Sequence, residues 1–184
     1  MNSGFAKLLT VTPLPDGKSW VLRDSLTYRD AYGKQYRVPS GFVMDFASIP
    51  RGPISLAAVL VTGALSLFQA AWFWWALLVL LLILLPPRYG KHGNAAALHD
   101  WLYWNQKTTR LAADEVFYDA MRSLGVRPTR ARLMLIAVRW FGWWAWWCNQ
   151  NDKDGGVVRV FVNGEREVQG RNLAKRLSRI WGRK

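Results

Sequence analysis

One cysteine and two histidines in 184 residues set the first limits on this chain. A lone Cys148 forms no internal bridge, so a disulfide-stapled fold is excluded and a reducing compartment is permitted. So few cysteines and histidines also leave no Cys/His cluster of the kind that holds structural zinc. Ser48 has no Gly-x-Ser-x-Gly setting, which argues against a serine nucleophile. Met1 to Thr10 has neither a long apolar core nor a small-residue cleavage site, so no signal peptide is expected there.

Charge is missing from one long stretch. Between Arg51 and Arg88 there is no charged side chain, and Ile54 to Leu85 is almost wholly apolar. An uncharged run well beyond about 18 residues is the usual mark of a membrane segment. As one helix, its roughly 32 residues would reach about 48 Å, against a hydrocarbon core of about 30 Å. Split at Gly63, Ser66 or Gln69, each arm would have about 16 residues, slightly short of a full crossing. If the flanking residues form one folded domain, both ends must emerge on the same side, which favours an inserted helical hairpin.

Acids are also scarce, and the net charge is +13. Residues 1–51 hold seven Lys/Arg against four acids, whereas 88–184 hold 18 against eight. A basic segment beside a membrane span favours the cytoplasmic side and attracts anionic lipid. Nucleic acid would explain the charge too, but lipid is the simpler partner beside an apolar run.

Tryptophan, by contrast, is abundant, with 12 in the chain. Trp72, Trp74 and Trp75 lie in the apolar run, Trp101 and Trp104 follow it, and Trp140, Trp143, Trp144, Trp146 and Trp147 crowd together later. The ring is apolar and its N–H needs a partner, so tryptophan favours the boundary between lipid and water. Trp72, Trp74, Trp75, Trp143, Trp144, Trp146 and Trp147 are therefore candidate membrane contacts, with a Trp-rich core as the alternative.

Local signals predict an α+β fold: a small antiparallel sheet packed with about three helices, plus the inserted apolar hairpin. Leu8 to Pro13 alternates, Pro15-Asp16-Gly17 makes a turn before Trp20-Val21-Leu22, and Asp30-Ala31-Tyr32-Gly33 suits a hairpin loop. Pro39-Ser40-Gly41 ends one strand and Phe42-Val43-Met44 begins another. Asn94 is a candidate N-cap for a helix over 95–104, Thr109 for a second ending at Leu124 before Gly125, and Pro128 suits the first turn of a third. Asn151 to Gly156 reads as a polar loop, followed by a hairpin over 157–168 around Asn163-Gly164. Arg171 to Lys184 has a basic amphipathic pattern suited to a membrane surface. Residues 1–53 and 86–168 thus form one domain, 54–85 the insertion and 169–184 a basic tail.

The chemistry concentrates on two helices. His99 and Tyr103 are four residues apart on one helical face, and Asp114 follows on the next helix, one turn before Phe117. A histidine held by a carboxylate and a phenol is fixed in one tautomer and can take a proton from water. Asp100 points about 100° away from His99, a direction that suits a metal rather than the imidazole. The same residues also suit a buried polar network pinning two helices, with an Asp45–Arg51 salt bridge nearby.

The stretches from Val38 to Arg51, Ala97 to Tyr103 and Arg110 to Phe117 resemble a phage and prophage family catalogued only as a domain of unknown function. That resemblance covers most of residues 5–145 and implies that the apolar run is an insertion. The His-Asp-x-x-Tyr pattern, with a following helix bearing Asp and Phe, is similar to the active-site helices of phospholipases A2. It implies His99 as general base, Tyr103 and Asp114 as its holders, and Asp100 as a Ca²⁺ ligand, with Asp45 standing in for a missing one. The disulfides of the secreted enzymes are absent, the Asp114 spacing is shorter, and no glycine-rich calcium loop stands in the expected place.

Together these features predict a phage-encoded, membrane-bound lipid ester hydrolase, possible calcium dependence included, at the host inner membrane with its folded part on the cytoplasmic side. The alternative is a non-enzymatic membrane anchor or interaction module in phage assembly, genome entry, lysis or exclusion. Its partner would be lipid or a phage or host membrane protein.

Overall fold

The computed structural model describes residues 3–17, 19–46 and 92–161. Six short strands come first: β1 Gly4–Phe5, β2 Val11–Pro13, β3 Trp20–Leu22, β4 Leu26–Arg29, β5 Gln35–Val38 and β6 Val43–Met44. Three helices follow: α1 Gly93–Asn105, α2 Arg110–Ser123 and α3 Pro128–Asp154.

Turn chemistry places the strands. Asp16 Oδ1 accepts from Ser19 N at 2.8 Å, and Gly17 takes φ 66°, closing the bend between β2 and β3. Asp30 Oδ1 accepts from Tyr32 N and Lys34 N, both at 2.9 Å, with Gly33 at φ 86°, closing β4 onto β5. The single expected sheet is in fact two antiparallel ones, ordered β1-β4-β5 and β2-β3-β6. The divide falls at Gly41. Its φ of 83° turns the chain after β5, so β6 pairs with β3 instead of extending the β4–β5 hairpin. A Cβ there would lie 2.0 Å from the Phe161 carbonyl oxygen, so only glycine fits. The segment after α3 returns to this point: Phe42 bridges Val160, and Phe161 N donates to Gly41 O at 3.1 Å.

The helices begin and end where local chemistry directs, with two exceptions. Thr109 Oγ1 accepts from Ala112 N at 3.2 Å to cap α2. At the other end Gly125 is left-handed, and Gly125 N and Val126 N return to Arg122 O and Met121 O. Pro128 sits in the first turn of α3. Asn94 is not a cap. It lies inside α1, where its amide accepts from Leu9 N at 3.2 Å and donates to Lys7 O at 3.1 Å, tying the N-terminal segment to the helix. The expected polar loop from Asn151 is still helix, and α3 runs 27 residues to Asp154.

The inserted membrane hairpin is withdrawn from the fold. Among the described residues no helix is long and apolar enough to cross a membrane. α3 has the length, but arginines in its first half and the polar run from Asn149 break its apolar character. The run 54–85, with Trp72, Trp74 and Trp75, lies outside the described residues, as do Arg51, the Asn163-Gly164 turn and the 169–184 tail. The fold is α+β, with two small antiparallel sheets and three helices.

α1 is the hub. Ala95, Ala96, Ala97, Leu98, His99, Leu102, Tyr103 and Trp104 are all buried, so neighbours cover nearly its whole circumference. Three consecutive alanines keep its first turn thin, and Tyr28, Val38 and Met44 from three strands, with Phe42 just before β6, join its core. Phe117, Ala120 and Met121 pack from α2, and Ala131, Met134 and Val138 from α3. Full burial of each large apolar side chain contributes roughly 1.5–3 kcal/mol, offset by the entropy of ordering it.

Candidate functional site

The three helices converge on one carboxylate. Asp114, fully buried on α2, accepts from the Tyr103 hydroxyl at 2.6 Å on Oδ1, and the same oxygen lies 3.1 Å from His99 Nε2. Its other oxygen, Oδ2, faces Arg139 Nε at 3.2 Å from α3 and Arg110 Nη1 at 3.5 Å from one turn earlier on α2. Arg139 also pairs with Glu115, and Arg110 donates to the Arg139 carbonyl at 3.0 Å. A buried carboxylate is costly unless both oxygens are compensated, and here two cations and two neutral donors meet them.

This arrangement fixes the histidine. With Asp114 charged, Nε2 carries the proton and donates it, leaving Nδ1 as the lone-pair nitrogen. Among the described residues Nδ1 has no hydrogen-bond partner. The ring is held between Tyr103 and Phe117, with centroids at 4.1 and 4.6 Å. Burial pushes the His99 pKa below its ordinary value, and Asp114 opposes that shift without reversing it, so the imidazole is neutral near pH 7. Burial, and then the hydrogen bond to Asp114, push the Tyr103 phenol well above its ordinary range, so it stays a donor.

α3 closes the site from the far side. Gly142 passes so near Tyr103 that a Cβ would stand 2.3 Å from the phenol oxygen. One turn on, Trp146 packs edge-on to the Tyr103 ring at 5.2 Å. Gln106 Nε2 then donates to Trp146 O at 2.8 Å and fastens the end of α1 to the same helix.

Of the residues singled out from the sequence, the structure brings His99, Tyr103 and Asp114 together. Asp100, the neighbour of His99, is half-buried on α1, and Asp45 is exposed just after β6. Among the described residues no three His, Cys, Asp or Glu side chains group so as to hold a metal. Trp143, Trp144 and Trp147 are exposed on α3, whereas Trp146 turns inward. Sequence reasoning missed Arg110, Arg139 and Gly142. Arg139 had a signal: it is the one charged residue between Arg132 and Asp152. Arg110 stands one helical turn before Asp114, the spacing of an intrahelical ion pair.

The profile of a family described as protein of unknown function (DUF1353) matches residues 20–67 and 72–138. Since this is more than half of the chain, the chain belongs to that family. The matched ranges take in His99, Tyr103, Asp114 and Arg110 and stop just short of Arg139. No curated protein matches the chain, and no solved structure does.

Proposed function

We propose that this DUF1353 chain is a phage-encoded hydrolase of lipid esters in which His99 is the general base. One observation carries the reading: Asp114 holds the Nε2 side of the imidazole, while Nδ1 keeps a lone pair with no partner among the described residues. A structural histidine in a satisfied network ordinarily uses both nitrogens. In the proposed reaction Nδ1 takes a proton from water as the oxygen attacks the ester carbonyl. The tetrahedral intermediate then collapses, the alkoxide leaves, and the proton returns to it from Nδ1. A free fatty acid and the deacylated lipid result. Asp114 stabilises the transient imidazolium, and Tyr103, Arg110 and Arg139 hold Asp114 in place. No step is routed through a metal.

The test is fatty-acid release from phosphatidylglycerol vesicles by the purified chain, with calcium and with chelator. Release should persist in chelator and fall at least about a hundredfold in His99→Ala. Equal release by that variant, or none by the parent chain, would overturn the reading.

A second reading rests on a specific observation too. His99 is only 1 % exposed and Asp114 is not exposed at all, as expected of a polar pin joining three helices in a non-enzymatic interaction module. Under it, His99→Ala lowers stability and no lipid is cleaved by either form.

A further inference from the structure

The outer face of α3 has a use that the buried network does not explain. Leu133, Ile136, Trp140, Trp144 and Trp147 follow one another at steps of three or four, so they line one face, about 21 Å from end to end. All five are exposed, Trp140 to 73 %, and Trp143 widens the stripe on one side. The opposite face is the one that packs, through Ala131, Met134, Val138, Gly142 and Asn149. A continuous exposed apolar stripe of this kind marks an interaction surface.

Charge says what fits it. From Ala120 to Asn151 there are five arginines and no acid, and Arg130 and Arg132 stand exposed at the start of the stripe. A second copy would bring the same positive charges to the contact, on a chain of net charge +13. An anionic lipid surface offers the opposite sign. It also suits tryptophan, whose ring enters the acyl boundary while its N–H stays among headgroups. We propose that this face of α3 docks in the plane of an anionic lipid surface. The helix lies along the interface with Trp140, Trp144 and Trp147 buried in it and Arg130 and Arg132 on headgroup phosphates. This goes beyond the hydrolytic reading and stands without it.

The test uses the full chain with Cys148→Ser and a single environment-sensitive fluorophore on Trp144→Cys, or on Tyr32→Cys as a control. Tyr32 is exposed in the β4–β5 loop, away from α3. On phosphatidylglycerol vesicles the label at position 144 should brighten and shift to the blue, and the label at 32 should not. His99→Ala should leave that shift intact. Each of Arg130→Gln and Arg132→Gln should weaken the response roughly fivefold. Circular dichroism matching the parent chain checks folding, and a label on Trp147→Cys serves if position 144 perturbs it. An unmoved signal at 144 while the chain sediments with vesicles would overturn the proposal. So would an equal response on phosphatidylcholine, or a shift that grows with protein concentration without lipid, which would assign the face to a second copy.

Discussion

Gly142 of α3 lies directly over the phenol of Tyr103, with room for a hydrogen and none for a methyl group. The Tyr103 hydroxyl in turn donates to Asp114 at 2.6 Å, so the closeness of two helix backbones and the position of a buried carboxylate are one constraint.

Gly142→Ala should therefore destabilise the protein, although glycine to alanine inside a helix ordinarily stabilises by about 0.5–1 kcal/mol. Overpacking of this kind costs roughly 1–3 kcal/mol. Adding Tyr103→Phe removes the clashing oxygen, so the double variant should lose less than the two single losses summed. Urea unfolding of all four proteins measures the coupling, and strict additivity would mean that the contact is not felt.

Asp114→Ala should be the most damaging single change at the site. It leaves two partly buried guanidinium groups, a phenol and an imidazole without their acceptor, and breaking a buried pair in this way costs roughly 3–5 kcal/mol. Arg139→Gln should cost less, because Arg110, His99 and Tyr103 remain on the carboxylate. Thermal midpoints in that order are the expected outcome, and the reverse order would place the main anchor in Arg139.

The His99 shift gives a pH dependence of definite sign. Its folded pKa is lower than its ordinary value, chiefly through burial, so the unfolded chain binds the proton more readily. The stability that comes from keeping His99 neutral is fully present above about pH 6.5 and is lost as the pH falls from there toward the folded pKa. The slope through that window should approach, at most, about 1.4 kcal/mol per pH unit from this one group. It should be absent in His99→Gln, and unfolding midpoints at pH 7.5, 6.5 and 5.5 (values of about one unit's spacing around the ordinary histidine pKa) decide it.

What could be read from the sequence was whatever depended on neighbours in the chain. The Asp16-Gly17 and Asp30–Gly33 turns, the Thr109 cap, Gly125 after α2 and Pro128 at the start of α3 each rest on atoms a few residues apart. The grouping of His99, Tyr103 and Asp114 was also legible, since two helices joined by a short turn must fold back on each other. Pairing between distant segments was not legible. One sheet was expected where there are two, because a left-handed Gly41 decides which strand β6 joins, and Phe161 occupies the space that a side chain would need. Arg139 reaches Asp114 only because α3 crosses α2, and no local pattern states a crossing. Hydropathy misled at the end of α3, where polar Asn151 to Asp154 remain helical.

The bridge between Phe42 and Val160 also dictates an order of events during synthesis. The two residues are roughly 120 positions apart, and at about 5–20 residues per second the ribosome needs roughly 6–24 s to get from one to the other. Throughout that interval the described residues offer the outer edge of β6 no strand to pair with, and an open edge is what neighbouring chains join when they aggregate. Crowded nascent chains are thus most at risk before Arg159 to Phe161 emerge and cover that edge.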